Sequence, residues 1–119
     1  MEMTQLNRVI LRGTIGNVRF MDIDGRKAAR ATIATNCITK DRGGNPVIET
    51  LWSDLFIIES PKTRDIGLLA RGKAAEVTGR LRKNRFTDSG GEEKSIVDVV
   101  VSELKILGDI SLEYQPPKE

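Results

Sequence analysis

The sequence predicts an all-β domain, a five-stranded barrel with one short helix between its third and fourth strands. Three observations carry that expectation. Apolar and polar residues alternate with period two in five segments, glycines interrupt those segments where a strand must bend, and one proline-led stretch with helical spacing separates the third from the fourth. A chain of 119 residues, 39% hydrophobic and 30% charged, is expected to hold a single core. No internal repeat is evident.

Asn7 to Ile15 alternates, with Val9, Leu11 and Ile15 on one face and Arg8, Ile10, Arg12 and Thr14 on the other. Gly13 and Gly16 mark bends, so one long strand should curl through Phe20. Asp22-Ile23-Asp24-Gly25 reads as a turn into a second strand from Arg26 to Asn36, whose Ala29, Ala31 and Ile33 suit a tight interior. Lys40 to Pro46 reads as a flexible loop, and a third strand follows from Val47 to Ile58. There the alternation sends Leu51, Leu55 and Ile57 inward and Trp52, Asp54, Phe56 and Ile58 outward.

Ser60 as N-cap and Pro61 in the first turn predict a short helix through Ile66, Leu68, Leu69 and Ala70, stopped by Gly72. Ala75, Val77 and Leu81 define the inner face of a fourth strand bent at Gly79. Thr87-Asp88-Ser89-Gly90-Gly91 turns the chain into a fifth strand, Lys94 to Leu107, with Val97, Val99 and Val101 inward. This order of bent strands and small interior residues is that of a Greek-key OB-fold barrel. Residues 1–107 form the expected domain and 108–119 a short C-terminal tail, where Pro116-Pro117 opposes regular structure.

Composition removes many functions. With no histidine and one cysteine, Cys37, the chain cannot assemble a histidine relay, a structural zinc site or an intramolecular disulfide. Glu49 and Asp54 are ordinary strand acids without a partner at catalytic spacing, so no metal, no cofactor and no enzymatic activity is expected. No apolar run approaches the roughly 20 residues of a bilayer span. Met1-Glu2-Met3-Thr4 has neither part of a signal peptide, and the expected location is cytoplasmic, away from membranes. Net charge is only +2, but Asp109, Glu113 and Glu119 against Lys118 make the last twelve residues acidic, so the positive surplus lies in the folded part.

Two groups of residues suggest a ligand. An isolated strand tryptophan is more often core than platform. A barrel has one interior, however, and if Leu51, Leu55 and Ile57 point into it, Trp52 and Phe56 must meet solvent, a subunit or a ligand. Arg80, Arg82, Lys83 and Arg85 then lead directly into Phe86, while Arg8, Arg12, Arg19, Lys40 and Arg42 could extend the charge. Single-stranded nucleic acid offers a planar base and a phosphate at every nucleotide, which aromatic platforms and mobile cations match without reading sequence. The same chemistry suits single-stranded DNA and RNA.

Over about residues 6 to 107 the chain resembles the bacterial single-stranded DNA-binding protein family. Asn7-Arg8-Val9-Ile10-Leu11-Arg12-Gly13 is similar to its first strand and Ala34-Thr35-Asn36 to the end of its second. Trp52 is similar to its third-strand tryptophan, and Val77-Thr78-Gly79-Arg80-Leu81-Arg82 to its fourth strand. Phe86 before Thr87-Asp88-Ser89-Gly90 resembles the aromatic and turn of its long hairpin. The resemblance implies an OB fold, single-stranded DNA binding in replication, recombination or repair, and a homotetramer built from dimers.

It also implies that Trp52 and Phe86 stack on bases and that Arg8, Arg19 and Arg82 contact the strand. The roles of Lys40, Phe56, Arg80, Lys83 and Arg85 are inferred from the residues themselves. Departures are plain: Ile38 or Thr39 and Ile58 stand where the family has stacking aromatics, and Asp54 where it has a basic residue. The resemblance does not extend to the family's acidic C-terminal tip: at Tyr114-Gln115-Pro116-Pro117-Lys118-Glu119 the expectation is a short form, with the means of recruiting replication proteins left open. Two rival readings keep the fold: an accessory dimer similar to primosomal replication protein B, and a protein-interaction module that binds no nucleic acid.

Overall fold

The structure, a computed structural model, describes residues 5–108. Its strands are β1 (Val9–Ile23), β2 (Arg26–Lys40), β3 (Pro46–Ile58), β4 (Ala74–Thr87) and β5 (Glu93–Gly108), closed into a barrel in the order β1-β2-β3-β5-β4. Antiparallel ladders join all neighbours except β3 and β5. Those two run parallel through only three pairs, Leu55–Val99, Phe56–Val100 and Ile57–Val101. The fold class predicted from the sequence is therefore the one observed. Of the tail predicted over residues 108–119, only Gly108 is described, as the last residue of β5, and the rest lies outside the described residues.

Ile15, Ile33, Leu55, Ile57 and Val77 fill the interior, with Ala29, Ala31 and Ala75 as the small residues that let strands approach. Each large aliphatic side chain buried in this way contributes about 1.5–3 kcal/mol. The bend expected at Gly16 is a bulge in the β1–β2 ladder between Ile15 and Val18. A two-residue turn, Asp24-Gly25, joins these strands.

Three inward assignments are overturned. Leu51, Leu81 and Val97 are 57%, 49% and 55% exposed. The alternation is right and its extent is not: the ring closes only where β3 meets β5. Beyond it, β2–β3 and β4–β5 run on as two-stranded arms whose inner faces no other layer covers among the described residues. The same extension carries β2 past Asn36 to Lys40, because Cys37, Ile38 and Thr39 continue to pair with Glu49, Ile48 and Val47. Only residues 41–45 remain of the predicted loop.

The predicted helix is a 3₁₀ helix, Pro61–Leu68, with Pro61 in its first turn as expected. Ser60 makes no side-chain cap to the backbone; its hydroxyl lies 3.1 Å from that of Thr63. Thr63 leaves helical geometry (φ −124°, ψ 33°), is wholly buried, and donates from Oγ1 to the Ile58 carbonyl at 2.7 Å. That hydrogen bond competes with regular helix and fixes the turn against the end of β3. Ile66 and Leu69 deliver the segment's apolar side chains to the core, while Leu68 and Ala70 face outward.

Both arms end in the same five-residue device. Asp41 Oδ1 accepts from the Gly43 and Asn45 amides, both at 2.9 Å, and Asp88 Oδ1 accepts from the Gly90 and Glu92 amides, also at 2.9 Å. Gly44 and Gly91, at φ +80° and +84°, occupy the left-handed position that each loop requires. The Asn45 amide holds the Asp41 carboxyl below its usual value, and Lys94 with the Glu92 amide does the same for Asp88.

Two outcomes follow. Thr63→Val should lower unfolding stability in urea by about 1–2 kcal/mol, since an isosteric methyl leaves the Ile58 carbonyl without its buried donor; an unchanged midpoint would contradict this. Because both tip carboxyls are depressed in the folded state, their contribution is intact above the usual 3.8 and is lost as pH falls through the lowered values. NMR shifts of the Gly90 and Glu92 amides should therefore titrate with a midpoint below 3.8, and a midpoint above it would contradict the assignment.

Candidate nucleic-acid interface

Trp52 lies on β3 three residues before the ring-closing seam, opposite Ala34 of β2. It is 60% exposed and takes no part in the core cluster. The sequence-based placement of this ring outside the barrel holds. On one side it borders a cleft of about 220 Å³ shared with Leu81, Val97 and the rim of β5. On the other it borders a hollow lined by Gly16, Asn17, Thr32 and Arg71. The residues that failed as core, Leu81 and Val97, thus supply apolar walls beside the indole.

The β1 bulge forms the floor beneath the ring. Thr32 Oγ1 accepts from the Asn17 amide at 3.0 Å, pinning the bulge to β2. A Cβ on Gly16 would stand 2.5 Å from that hydroxyl and 2.7 Å from Trp52 Cζ3, so the benzo end of the indole rests on bare backbone. Ordinary backbone geometry would accept a side chain at Gly16; the space is what excludes one. With its benzo end on this floor, the indole remains 60% exposed.

Phe56 does not match its expected role. It shares the outward phase of Trp52, outside the core cluster, but is only 9% exposed. Two guanidinium groups cover it: Arg30, its cross-strand partner on β2, at 5.2 Å from the ring centroid, and Arg82 of β4 at 5.1 Å. Asp98, 1% exposed, anchors this arrangement. Arg82 donates from Nε to Asp98 Oδ1 at 3.1 Å and from an Nη to Oδ2 at 2.7 Å, while Arg30 stands 3.7 Å from Oδ2. Asn84 completes the group, donating to Asp98 at 3.3 Å in one amide orientation and accepting from Arg82 at 3.2 Å in the other. Hydrogen bonding to Asp98 raises the Arg82 pKa above the ordinary guanidinium value.

The remaining predicted residues fall into separate neighbourhoods. Arg8 and Arg80, both exposed, line one hollow with Asn7, whose side chain pairs with both backbone groups of Leu81. Arg19 joins Arg30, Thr32 and Asp54 around a hollow that shares Asn17 and Thr32 with the one beside Trp52. Register divides the basic run of β4. Arg80, Arg82 and Phe86 share a face with Val100, Asp98 and Lys94, whereas Lys83 and Arg85 share the opposite face with Val97 and Ser95. Phe86 is 42% exposed. Lys40 stands at the tip of the β2–β3 arm, opposite Pro46 and in none of these hollows.

Arg12, considered as an extension of the charge, is spent on Glu76 at 2.7 Å. Arg30 was missed, although its place between inward Ala29 and Ala31 fixes it as outward. Leu81 and Val97 were missed because alternation assigned them to the core. Among the described residues no cluster of three or more potential metal ligands occurs, and no helix is long and apolar enough to cross a membrane.

A five-stranded barrel closed in this order, with one short helix between β3 and β4, defines the OB-fold class. Residues 6–107 match the single-strand binding protein family, and the chain belongs to it. A single-stranded DNA-binding protein of Xanthomonas axonopodis pv. citri is 32% identical over 106 residues, covering 87% of this chain and 58% of that protein. One from Neisseria meningitidis serogroup B is 29% identical, with coverage of 87% and 60%. The chain thus spans about three fifths of the curated relatives it matches.

Among solved structures, the fold is similar to a Plasmodium falciparum single-strand binding protein in complex with single-stranded DNA, with TM-score 0.73, 23% identity, and coverage of 90% of this chain and 99% of that one. It is also similar to a deletion mutant of the single-stranded DNA-binding protein of Thermus aquaticus, with TM-score 0.72, 22% identity, and coverage of 86% and 50%.

Gly16→Ala tests the floor under the indole. Overpacking against Thr32 and Trp52 should cost roughly 1–3 kcal/mol and displace the ring. Urea unfolding and the tryptophan emission maximum read both effects, and a variant unchanged in each would show that the ring does not rest there.

Proposed function

We propose that this chain binds single-stranded DNA with little regard to sequence, through the domain of residues 1–107, and serves replication, recombination or repair without catalysing a reaction. The observation that carries this reading is Trp52, exposed on the outside of a closed barrel beside a cleft walled by Leu81 and Val97. A base can lie on the indole while its neighbours' phosphates reach Lys83 and Arg85 on the Val97 face of β4 and Arg80 on the opposite one, each of them exposed. Phe86 farther along the same arm offers a second platform. The names of the relatives and the single-stranded DNA in the Plasmodium falciparum complex support the same reading.

Exposed Ile48, Leu51 and Ile96 on the arms favour in addition a surface between copies, and we infer the homotetramer that the family resemblance implies. Light scattering should then report four chain masses; two would favour the dimeric accessory reading.

Titration with oligothymidine should quench the emission of the single tryptophan, and duplex DNA should do so far less. Trp52→Ala should weaken binding by about 1–3 kcal/mol. Affinity should fall as salt rises, by a log–log slope of about −0.7 for each phosphate neutralised. Unchanged emission with no retention in low-salt gels would defeat the proposal, and equal affinity for oligouridine would extend it to RNA.

A further inference from the structure

The outer face of the barrel contains one acid that is buried among its cations. Asp98 lies on β5, 1% exposed, with both carboxylate oxygens on Arg82 and a second guanidinium, Arg30, 3.7 Å away. Phe56 lies under both guanidinium groups, 5.2 Å from that of Arg30 and 5.1 Å from that of Arg82. A buried acid of this kind does not serve solubility, since solvent does not reach it. Replacing an ion pair of this sort by well-packed apolar residues is often neutral or stabilising, so stability alone is a weak reason for its presence. Its direct effect is on two arginines that would otherwise be free to swing toward a polyanion.

We propose that Asp98 attenuates the phosphate affinity of this face by sequestering Arg82 and restraining Arg30 over Phe56. The inference rests on the reading of the chain as a single-strand binder and deepens it. Arg82 stands at the centre of the basic run of β4, two residues from Arg80 and three from Arg85. It is nevertheless the cation of that run with one edge of its guanidinium on a carboxylate, that of Asp98, and with an aromatic ring, Phe56, 5.1 Å away. The strand is held by Trp52 and by the exposed cations, while the middle of the face stays electrostatically quiet. Arg82, named from the resemblance as a strand contact, becomes a positioning residue that keeps Phe56 covered.

Asp98→Asn removes the charge and retains the shape and an acceptor oxygen. It should bind oligothymidine at least about threefold more tightly at low salt, and its log–log salt slope should steepen by about 0.7 for each arginine released. Asp24→Asn, at the remote β1–β2 turn, makes the same change in net charge and should produce neither effect. In the wild-type protein, which needs no substitution to fold, the NMR signal of the Arg82 Nε–H should hold its position during the titration while those of Arg80 and Arg85 move. A folded Asp98→Asn protein with wild-type affinity and slope would overturn the inference. So would equal gains in both variants, or an Arg82 signal that moves with its neighbours. Failure of the wild-type protein itself to bind any single strand would overturn the reading beneath it as well.

Discussion

Closure of the ring through three parallel pairs, Leu55–Val99, Phe56–Val100 and Ile57–Val101, is the constraint on which the rest of this molecule depends. Parallel pairing of β3 with β5 points both strands the same way, so each must leave the ring toward its own antiparallel partner. Because the seam is short, β2–β3 and β4–β5 continue beyond it as separate arms. Trp52 sits just past the seam, where the barrel wall ends and the arm begins. Its exposure is thus a consequence of topology, and the cleft beside it is the gap between two diverging ribbons, lined by Leu81 and Val97.

Charge on the outer face is organised by the same seam. Phe56 and Val100 pair across it and face outward, and a bare phenyl there would be a water-exposed apolar spot. Arg30 and Arg82 cover it from the flanking strands, and Asp98, one register step along β5 beside Arg82, holds them in place. A run that is basic in the sequence is therefore heterogeneous in space. Some cations are paired with carboxylates, as Arg82 with Asp98 and Arg12 with Glu76 are, and others, such as Lys83 and Arg85, have no carboxylate partner among the described residues.

Period-two alternation made the strands, their order and the outward phase of Trp52 legible in the sequence. Its limit is that phase says which side a residue faces and not whether anything lies on that side. Leu51, Leu81 and Val97 have inward phase but lie beyond the closure, a tertiary fact that no local pattern encodes. Phe56 fails in the converse way: its phase is outward, yet arginines from two other strands, each distant in sequence, bury it. The 3₁₀ geometry of Pro61–Leu68 was hidden because the Thr63 hydroxyl is spent on the Ile58 carbonyl, a choice that helix propensity does not reveal. The matching tips are visible as Asp-x-Gly-Gly in both turns, although the first, set in Lys40 to Pro46, reads by composition as a flexible loop.

What unites these features is a single geometrical claim, that an unpaired base lies on the indole where the arms diverge. Photocrosslinking with oligothymidine carrying 5-iodouracil, followed by mass spectrometry of the peptide adducts, tests it most directly. The structure predicts adducts on the peptide containing Trp52 first and on that containing Phe86 second, with none on the exposed Leu68 of the 3₁₀ helix or on Phe20. Adducts concentrated at Phe20 or Leu68, with Trp52 unmodified at saturating oligonucleotide, would contradict it.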